Sequence, residues 1–127
     1  MSSVIQNISF DSADPYELSG FWAEALDRSR HPEDQPGDDE TVLLPPDGVG
    51  PDVYFQRVPE GRSGKNRLHI CLRPTDRSRD AEVDRLIGLG ATHVADHREP
   101  DGTGWAVLAD PEGNEFCVLR SATERAG

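Results

Sequence analysis

The chain has 127 residues, which is enough for one hydrophobic core and too few for a second independent domain. Its formal net charge is -11, so it repels phosphate backbones and anionic lipid surfaces, and we expect neither nucleic acid nor membrane as a partner. The sequence lacks both an apolar run of ~18 residues and a recognisable export signal, which predicts a cytoplasmic protein. Its two cysteines lack CxxC spacing and are expected to be reduced thiols.

The first predicted elements are a strand and a helix. Residues 4–10 alternate between an apolar face and a polar face, as a half-buried strand does. Asp14 then stands at an N-cap position with Pro15 at the first helical position, and this pair marks a helix start. The apolar stripe of the helix consists of Leu18, Phe21, Trp22, Ala25 and Leu26. We therefore expect Trp22 in the core.

An acidic loop and two strands follow. Residues 27–40 are polar and rich in Pro and Gly, which predicts a loop with at most a short edge strand near its start. The two strands are predicted at residues 41–45 and 52–58, on either side of a turn-rich segment. The second strand places Val53 and Phe55 on one face and Tyr54 and Gln56 on the other.

The second half repeats this order after a linker at residues 59–65. Residues 66–74 alternate, so that Leu68, Ile70 and Leu72 face the core while Arg67, His69, Cys71 and Arg73 face away from it. Ser78 fits an N-cap, and Gly90 fits the end of the helix that it starts. Three further strands are predicted at residues 91–97, 104–110 and 114–120.

The order of strand, helix and further strands thus occurs twice, which indicates an internal duplication. The stretch VLLPPDG at 42–48 also aligns with VLADPEG at 107–113. Two such units cover their exposed sheet faces by lying edge to edge. We expect an α+β fold of two tandem βαβββ modules that form a curved, cup-shaped mixed sheet with helices outside and polar strand faces inside.

Five motifs in order resemble the vicinal oxygen chelate superfamily, which includes glyoxalase I, the bleomycin-resistance proteins and the extradiol dioxygenases. They are DSADPYELSGFW, FQRVPEG, RLHICLRP, LIGLGATHV and above all WAVLADPEGNEFCVL. The nearest resemblance is to the small glyoxalase-like domain proteins. It implies a single domain over residues 1–127, with module one at 1–60 and module two at 66–121. This fold serves many chemistries, so the resemblance does not by itself give an activity.

The resemblance also implies where a metal would bind. Metal-using relatives place His and Glu or Gln at four cup-facing positions, and here these match Asn7, Gln56, His69 and Cys117. Cys117 replaces a carboxylate, and an amide at position 7 is a poor ligand compared with imidazole. We therefore expect no standard metal and no cofactor. The alternative is one divalent ion held by His69, Gln56 and Cys117.

A second arrangement involves the thiols. His69 and Cys71 share a face at i and i+2, and Cys117 is expected on a neighbouring strand. A zinc ion with these three ligands would still need a fourth, and a redox-active pair of the two thiols would lack CxxC activation. Two half-buried small cysteines without a chemical role are the simpler interpretation.

Other candidate residues carry weaker signals. Tyr54 and Trp105 could stack on a ligand or fill space beside the sheets, and Arg67 could attract an anionic substrate or solvate the rim. His93 and His97 are expected at the surface. The turn residues Asp110, Pro111 and Gly113 are expected to set the register of the last hairpin.

Three functions remain open on the sequence. The first is a protein that binds a small molecule in the cup. The second is a lyase or isomerase in which His69 acts as general acid or base and Glu115 or Gln56 orients it, since imidazole is suited to proton transfer near neutral pH. The third is a domain that serves in assembly, and we expect a homodimer. The candidate ligand-binding residues are Asn7, Tyr54, Gln56, Arg67, His69, Cys71, Trp105 and Cys117.

Overall fold

The two halves of the chain contain the same order of one strand, one helix and three strands, and the second half adds a short helix at its end. The computed structural model describes residues 2–61, 64 and 66–126. The first half contains β1 (Asn7–Ser12), α1 (Pro15–Leu26), β2 (Ser29–Arg30), β3 (Glu40–Leu44) and β4 (Asp52–Arg57). The second half contains β5 (Ile70–Leu72), α2 (Arg79–Leu89), β6 (Thr92–Asp96), β7 (Ala106–Ala109), β8 (Glu115–Val118) and α3 (Ala122–Ala126). The expected α+β fold of two βαβββ modules is confirmed.

The two sheets also share one topology. The chain divides into two compact units, Met1–Gly61 and Arg62–Gly127, and each contains a four-stranded mixed sheet. The strand orders are β1-β4-β3-β2 and β5-β8-β7-β6. In both sheets the first strand of the unit runs parallel to the last, and the remaining pairs are antiparallel. The predicted duplication therefore extends to strand order and direction.

In the first unit, α1 packs on the apolar face of its sheet. The Asp14 carboxylate caps α1 by accepting from the Glu17 backbone N–H at 3.3 Å, as its position before Pro15 predicted. Trp22 is 1% exposed, and its ring centroid lies 5.3 Å from that of Phe10. Phe10 in turn stacks on Phe55 at 5.2 Å. Burying each such side chain contributes roughly 1.5–3 kcal/mol, so these rings fix the helix on the sheet.

The second unit repeats this packing with mainly aliphatic side chains. The Ser78 hydroxyl accepts from the Ala81 N–H at 3.1 Å, and the helix ends at Gly90 with φ 125°. That backbone conformation is easily reached only by glycine, which explains the residue at this end. The buried core of the unit includes Val83, Leu86, Leu108, Phe116 and Val118.

Two strands are shorter or displaced relative to the sequence prediction. β1 begins at Asn7 and not at residue 4, because its pairing with β4 begins at Asn7 opposite Asp52. β5 covers Ile70–Leu72 instead of residues 66–74, because its partner β8 begins at Glu115 and the first pair is Ile70 with Phe116. Leu68 is consequently 74% exposed and not in the core.

The chain ends in a helix that the strand pattern did not predict. Ser121 and Glu124 form a capping box: the Glu124 N–H donates to the Ser121 hydroxyl at 3.0 Å, and the Ser121 N–H donates to Glu124 Oε1 at 2.9 Å. The S-x-x-E spacing in SATE is the signal that identifies this helix start. Of the predicted linker at residues 59–65, Arg62, Ser63 and Lys65 lie outside the described residues. Among the helices that are described, none has the length and apolarity to cross a membrane.

Candidate ligand-binding site

Each sheet has a face that points away from its helix, and most of the predicted site residues lie on these two faces. In the first unit, Phe10 and Phe55 pack toward α1, so the residues that alternate with them point the other way. The strand register assigns this first helix-distal face to Asn7, Ser9, Asp11, Glu40, Val42, Asp52, Tyr54 and Gln56. In the second unit, the corresponding second helix-distal face contains Cys71, Ala95, Val107, Ala109, Glu115 and Cys117.

The polar side chains of the first helix-distal face bond mainly to one another. The Asn7 amide donates to the Ser9 hydroxyl at 3.0 Å, and the Gln56 amide donates to Glu40 Oε2 at 3.1 Å. Tyr54 is half-buried beside Ser9 on the neighbouring strand. Asn7 and Gln56 therefore meet local partners, while Tyr54 contributes the largest side chain of this face.

The second helix-distal face brings the two cysteines together. Cys71 and Cys117 are direct partners in the parallel pair of β5 and β8, and neither is in a disulfide. Cys117 is only 8% exposed, whereas Cys71 is exposed. Val107 pairs with Cys117 from the other side, and the half-buried Glu115 lies two residues before Cys117 on the same face. The prediction that Cys71 and Cys117 lie on neighbouring strands is confirmed.

Because the two units share one strand pairing, their residues can be matched position by position. The stretch NISF of β1 corresponds to HICL around β5, so Asn7 matches His69 and Ser9 matches Cys71. Ser9 pairs with Tyr54 as Cys71 pairs with Cys117. The counterpart of Cys117 in the first unit is therefore Tyr54, and Gln56 lies two residues further along β4. The inserted residues before β4 hide this register in the sequence.

His69 lies immediately before β5 and is exposed, so the alternation of a strand does not determine its direction. Its Nε2 lies 2.9 Å from the Asn66 carbonyl oxygen. Because a carbonyl only accepts, Nε2 carries the proton in this contact and Nδ1 is the ring nitrogen that can accept one. Arg67, two residues earlier, is also exposed.

Trp105 lies at the end of the loop between β6 and β7. Trp105 is 42% exposed, and its ring centroid lies 4.9 Å from that of His97, which is also exposed. A core role for Trp105 is therefore wrong, because it follows the loop and precedes the first paired residue of β7. The surface positions expected for His93 and His97 are confirmed.

Asp110 organises the last hairpin, as its place in the sequence predicted. Its carboxylate accepts from the Glu112 and Asn114 backbone N–H groups, both at 2.9 Å, and from the Asn114 amide at 2.8 Å. Gly113 completes the turn with φ 88°. These bonds fix where β8 begins and hence the pairing of Cys117.

Residues 7–119 of the sequence match the family model of the glyoxalase-like domain. The chain belongs to the glyoxalase-like domain family. This membership and the fold confirm the vicinal oxygen chelate superfamily expected from the motifs. The glyoxalase-like protein has no significant match among curated protein sequences.

Solved structures show the same fold as the glyoxalase-like protein. A variant of the fosfomycin resistance protein FosX from Listeria monocytogenes, in complex with Mn(II) and 1S,2S-dihydroxypropylphosphonic acid, is 16% identical over 98% of this chain and 95% of its own, with a TM-score of 0.72. FosX from Mesorhizobium loti is 18% identical over 99% and 98%, with a TM-score of 0.67. A glyoxalase/bleomycin resistance protein/dioxygenase family enzyme from Burkholderia phytofirmans is 18% identical over 91% and 97%, with a TM-score of 0.66.

The residues of the glyoxalase-like protein do not fit the metal site of its metal-using relatives. Among the described residues, no group of three or more His, Cys, Asp or Glu side chains could hold a metal ion. Cys117 supplies a thiol at the position where the family resemblance implies a carboxylate ligand. The side-chain amide of Asn7 donates to the Ser9 hydroxyl. Divalent ions of that site class prefer imidazole and oxygen donors. These side chains therefore do not supply the donor set of such an ion.

Proposed function

We propose that this glyoxalase-like protein binds a small organic molecule against the second helix-distal face, without the divalent metal of its metal-using relatives. One observation carries the proposal. The position where those relatives place a carboxylate ligand is occupied by Cys117, in direct register with a second thiol. Where the relatives have an ion ligand, this protein has a soft, weakly polar thiol, and such a group suits contact with an organic ligand.

The chemistry of the face supports one kind of ligand. Val107 and Ala95 supply half-buried apolar surface beside the thiols, and Glu115, which pairs with the buried Ala109, supplies a half-buried carboxylate at one end. A pocket of this kind holds an apolar body and orients it with a few polar groups. We infer a ligand with an apolar ring or chain and a donor or cationic group near Glu115.

A ligand screen by thermal unfolding tests this function. The panel contains apolar amines and matched carboxylic acids, with fosfomycin and bleomycin as representatives of the neighbouring resistance proteins. A ligand at 100 times its dissociation constant adds about 2.7 kcal/mol to the stability of the folded state. We expect amines to raise the unfolding temperature more than acids, and the rise to persist after dialysis against EDTA.

Variants locate the binding. Glu115→Gln should reduce the ligand-induced rise, whereas Asp84→Asn, at an exposed position of α2, should leave it unchanged. If EDTA abolishes the rise and Mn(II) restores it, the protein uses a metal after all and the proposal is wrong.

The geometry of His69 favours one alternative, an acid–base enzyme. Its Nε2 contact with the Asn66 carbonyl leaves Nδ1 as the proton acceptor, which is the state that a general base requires. In that case a ligand found by the screen would be chemically converted, and His69→Ala would abolish conversion while leaving binding nearly intact. A bound ligand recovered unchanged after long incubation would exclude the alternative.

A further inference from the structure

The paired thiols form a site whose chemistry differs from that of an organic ligand pocket. Cys71 and Cys117 are 46 positions apart in the chain, and the parallel pairing of β5 and β8 makes them immediate neighbours on one face. Cys117 is 8% exposed and held by strands on both sides, while Cys71 is exposed. One sulfur is therefore fixed in the sheet, and the other is accessible to an incoming ion.

The strand spacing places two such sulfurs close to each other. Neighbouring strands lie about 4.7–4.9 Å apart, and side chains in parallel register leave the sheet side by side. A disulfide joins residues whose Cα atoms are about 4.4–6.8 Å apart, so this spacing also permits a disulfide, and the thiols must be reduced to bind an ion. A zinc–thiolate bond is about 2.3 Å long, and by that measure an ion held in a line between two sulfurs separates them by about 4.6 Å, which adjacent side chains on neighbouring strands can reach.

The number of donors selects the ion. The strand register brings two thiols together here, whereas structural zinc sites have four ligands. Thiolates are soft ligands that favour Cu(I), an ion whose coordination is satisfied by two sulfurs in a line. The net charge of -11 also favours the approach of a cation.

We propose that Cys71 and Cys117 form a two-thiolate site for a soft monovalent cation of the Cu(I) type. Binding converts Cu⁺ and two thiols into an anionic bis-thiolate complex and releases two protons, with no change of oxidation state. The same two thiols lie on the face proposed for the organic ligand, and the test of the ion site uses Cu(I) alone.

The experiment is an anaerobic titration of the reduced full-length protein with Cu(I) presented as its bicinchoninate complex. We expect the protein to remove about one Cu(I) per chain from the indicator, since one pair of thiols is present. Cys71→Ser should weaken binding by at least about 100-fold, because loss of a direct ligand costs more than loss of a partner outside the coordination shell. Cys71 is exposed, so this variant should unfold at nearly the wild-type temperature.

A matched variant tests the register itself. Cys71→Ser combined with Arg73→Cys keeps two thiols in the chain but moves one of them about 6.6 Å along the strand direction. We expect binding as weak as that of Cys71→Ser alone. Wild-type protein that takes no Cu(I) from the indicator, or a double variant that binds as tightly as wild type, would overturn the proposal.

Discussion

Arg79 is a cationic side chain in a buried position, and its contacts explain why the chain keeps it there. Its Nη1 donates to the carbonyl oxygens of three successive loop residues, Gly102, Thr103 and Gly104, at 3.0–3.1 Å. Its Nε bonds to Asp80 at 3.0 Å, and its backbone N–H donates to Glu124 at 2.7 Å. One side chain therefore donates hydrogen bonds to three successive backbone carbonyls of the loop that leads to Trp105.

Removal of this guanidinium should cost more than removal of an exposed one. Arg79→Met removes the guanidinium donor from all three carbonyls, although that of Thr103 still accepts from the Glu99 N–H at 2.9 Å, and we expect a loss of roughly 2–4 kcal/mol in the free energy of unfolding. Arg77→Met is the control, since Arg77 is more exposed than Arg79 and bonds, among the described residues, only to the side chains of Asp76 and Glu82, so its loss should be the smaller of the two. Urea unfolding measures both values. Equal losses for the two variants would show that the loop does not depend on Arg79.

At the scale of an element, the loop between β6 and β7 depends on one glycine. Gly104 has φ 89°, and a Cβ built on it would lie 1.9 Å from the His97 carbonyl oxygen. Gly102 has a similar φ of 94°, but a Cβ there would meet nothing within 4 Å. The two glycines therefore separate backbone strain from steric contact.

We expect Gly102→Ala to lose about 1 kcal/mol from positive φ alone. Gly104→Ala should lose at least about 3 kcal/mol, because the backbone of the loop must move as well. The measurement is the free energy of unfolding in urea, with Trp105 fluorescence as a local signal. Similar losses of unfolding free energy in both variants would mean that the loop backbone moves away from the methyl group added at Gly104 without cost.

Elements differ in how far the sequence determines them. The helix starts at Asp14 and Ser78 were predictable because capping acts within four residues. The length of β5 was not, because it is set by where β8 begins, which depends on the Asp110 turn. The same non-local register decides that Tyr54 matches Cys117, and the exposure of Trp105 depends on loop packing. Cys71 and Cys117 were predictable as neighbours because both strands were expected around these residues, although β5 is shorter than predicted.

At the scale of the whole molecule, ionic contacts with lowered carboxyl pKa values concentrate in the second unit. The hydrogen bond from Arg98 lowers the pKa of Asp96, and the hydrogen bond from Arg79 lowers that of Asp80. The Ser121 N–H lowers the pKa of Glu124. A carboxyl whose pKa is lower in the folded state stabilises the fold above its unfolded pKa and loses that contribution as pH falls through the folded pKa.

We therefore expect stability to be level near neutral pH and to fall as the pH drops below about 4. Arg98→Met should flatten this acid-side slope, because it removes the hydrogen bond that lowers the pKa of Asp96 and the smaller contribution of Arg98 to the lowered pKa of Asp80. The urea midpoint measured between pH 7 and pH 2 gives both slopes. An unchanged slope in the variant would show that other groups control acid unfolding.

The parallel pair between the first and last strand of each unit bears on how the chain folds as it is made. Asn7 pairs with Asp52, which lies roughly 45 residues later in the chain. At a synthesis rate of about 5–20 residues per second, the partner strand of β1 is therefore made seconds after β1 itself. Until then the hydrogen-bonding edge of β1 is unpaired. The same delay separates Ile70 from Phe116. Neither sheet can close before nearly all of its unit exists, which leaves two periods during synthesis when a nascent strand is open to wrong partners.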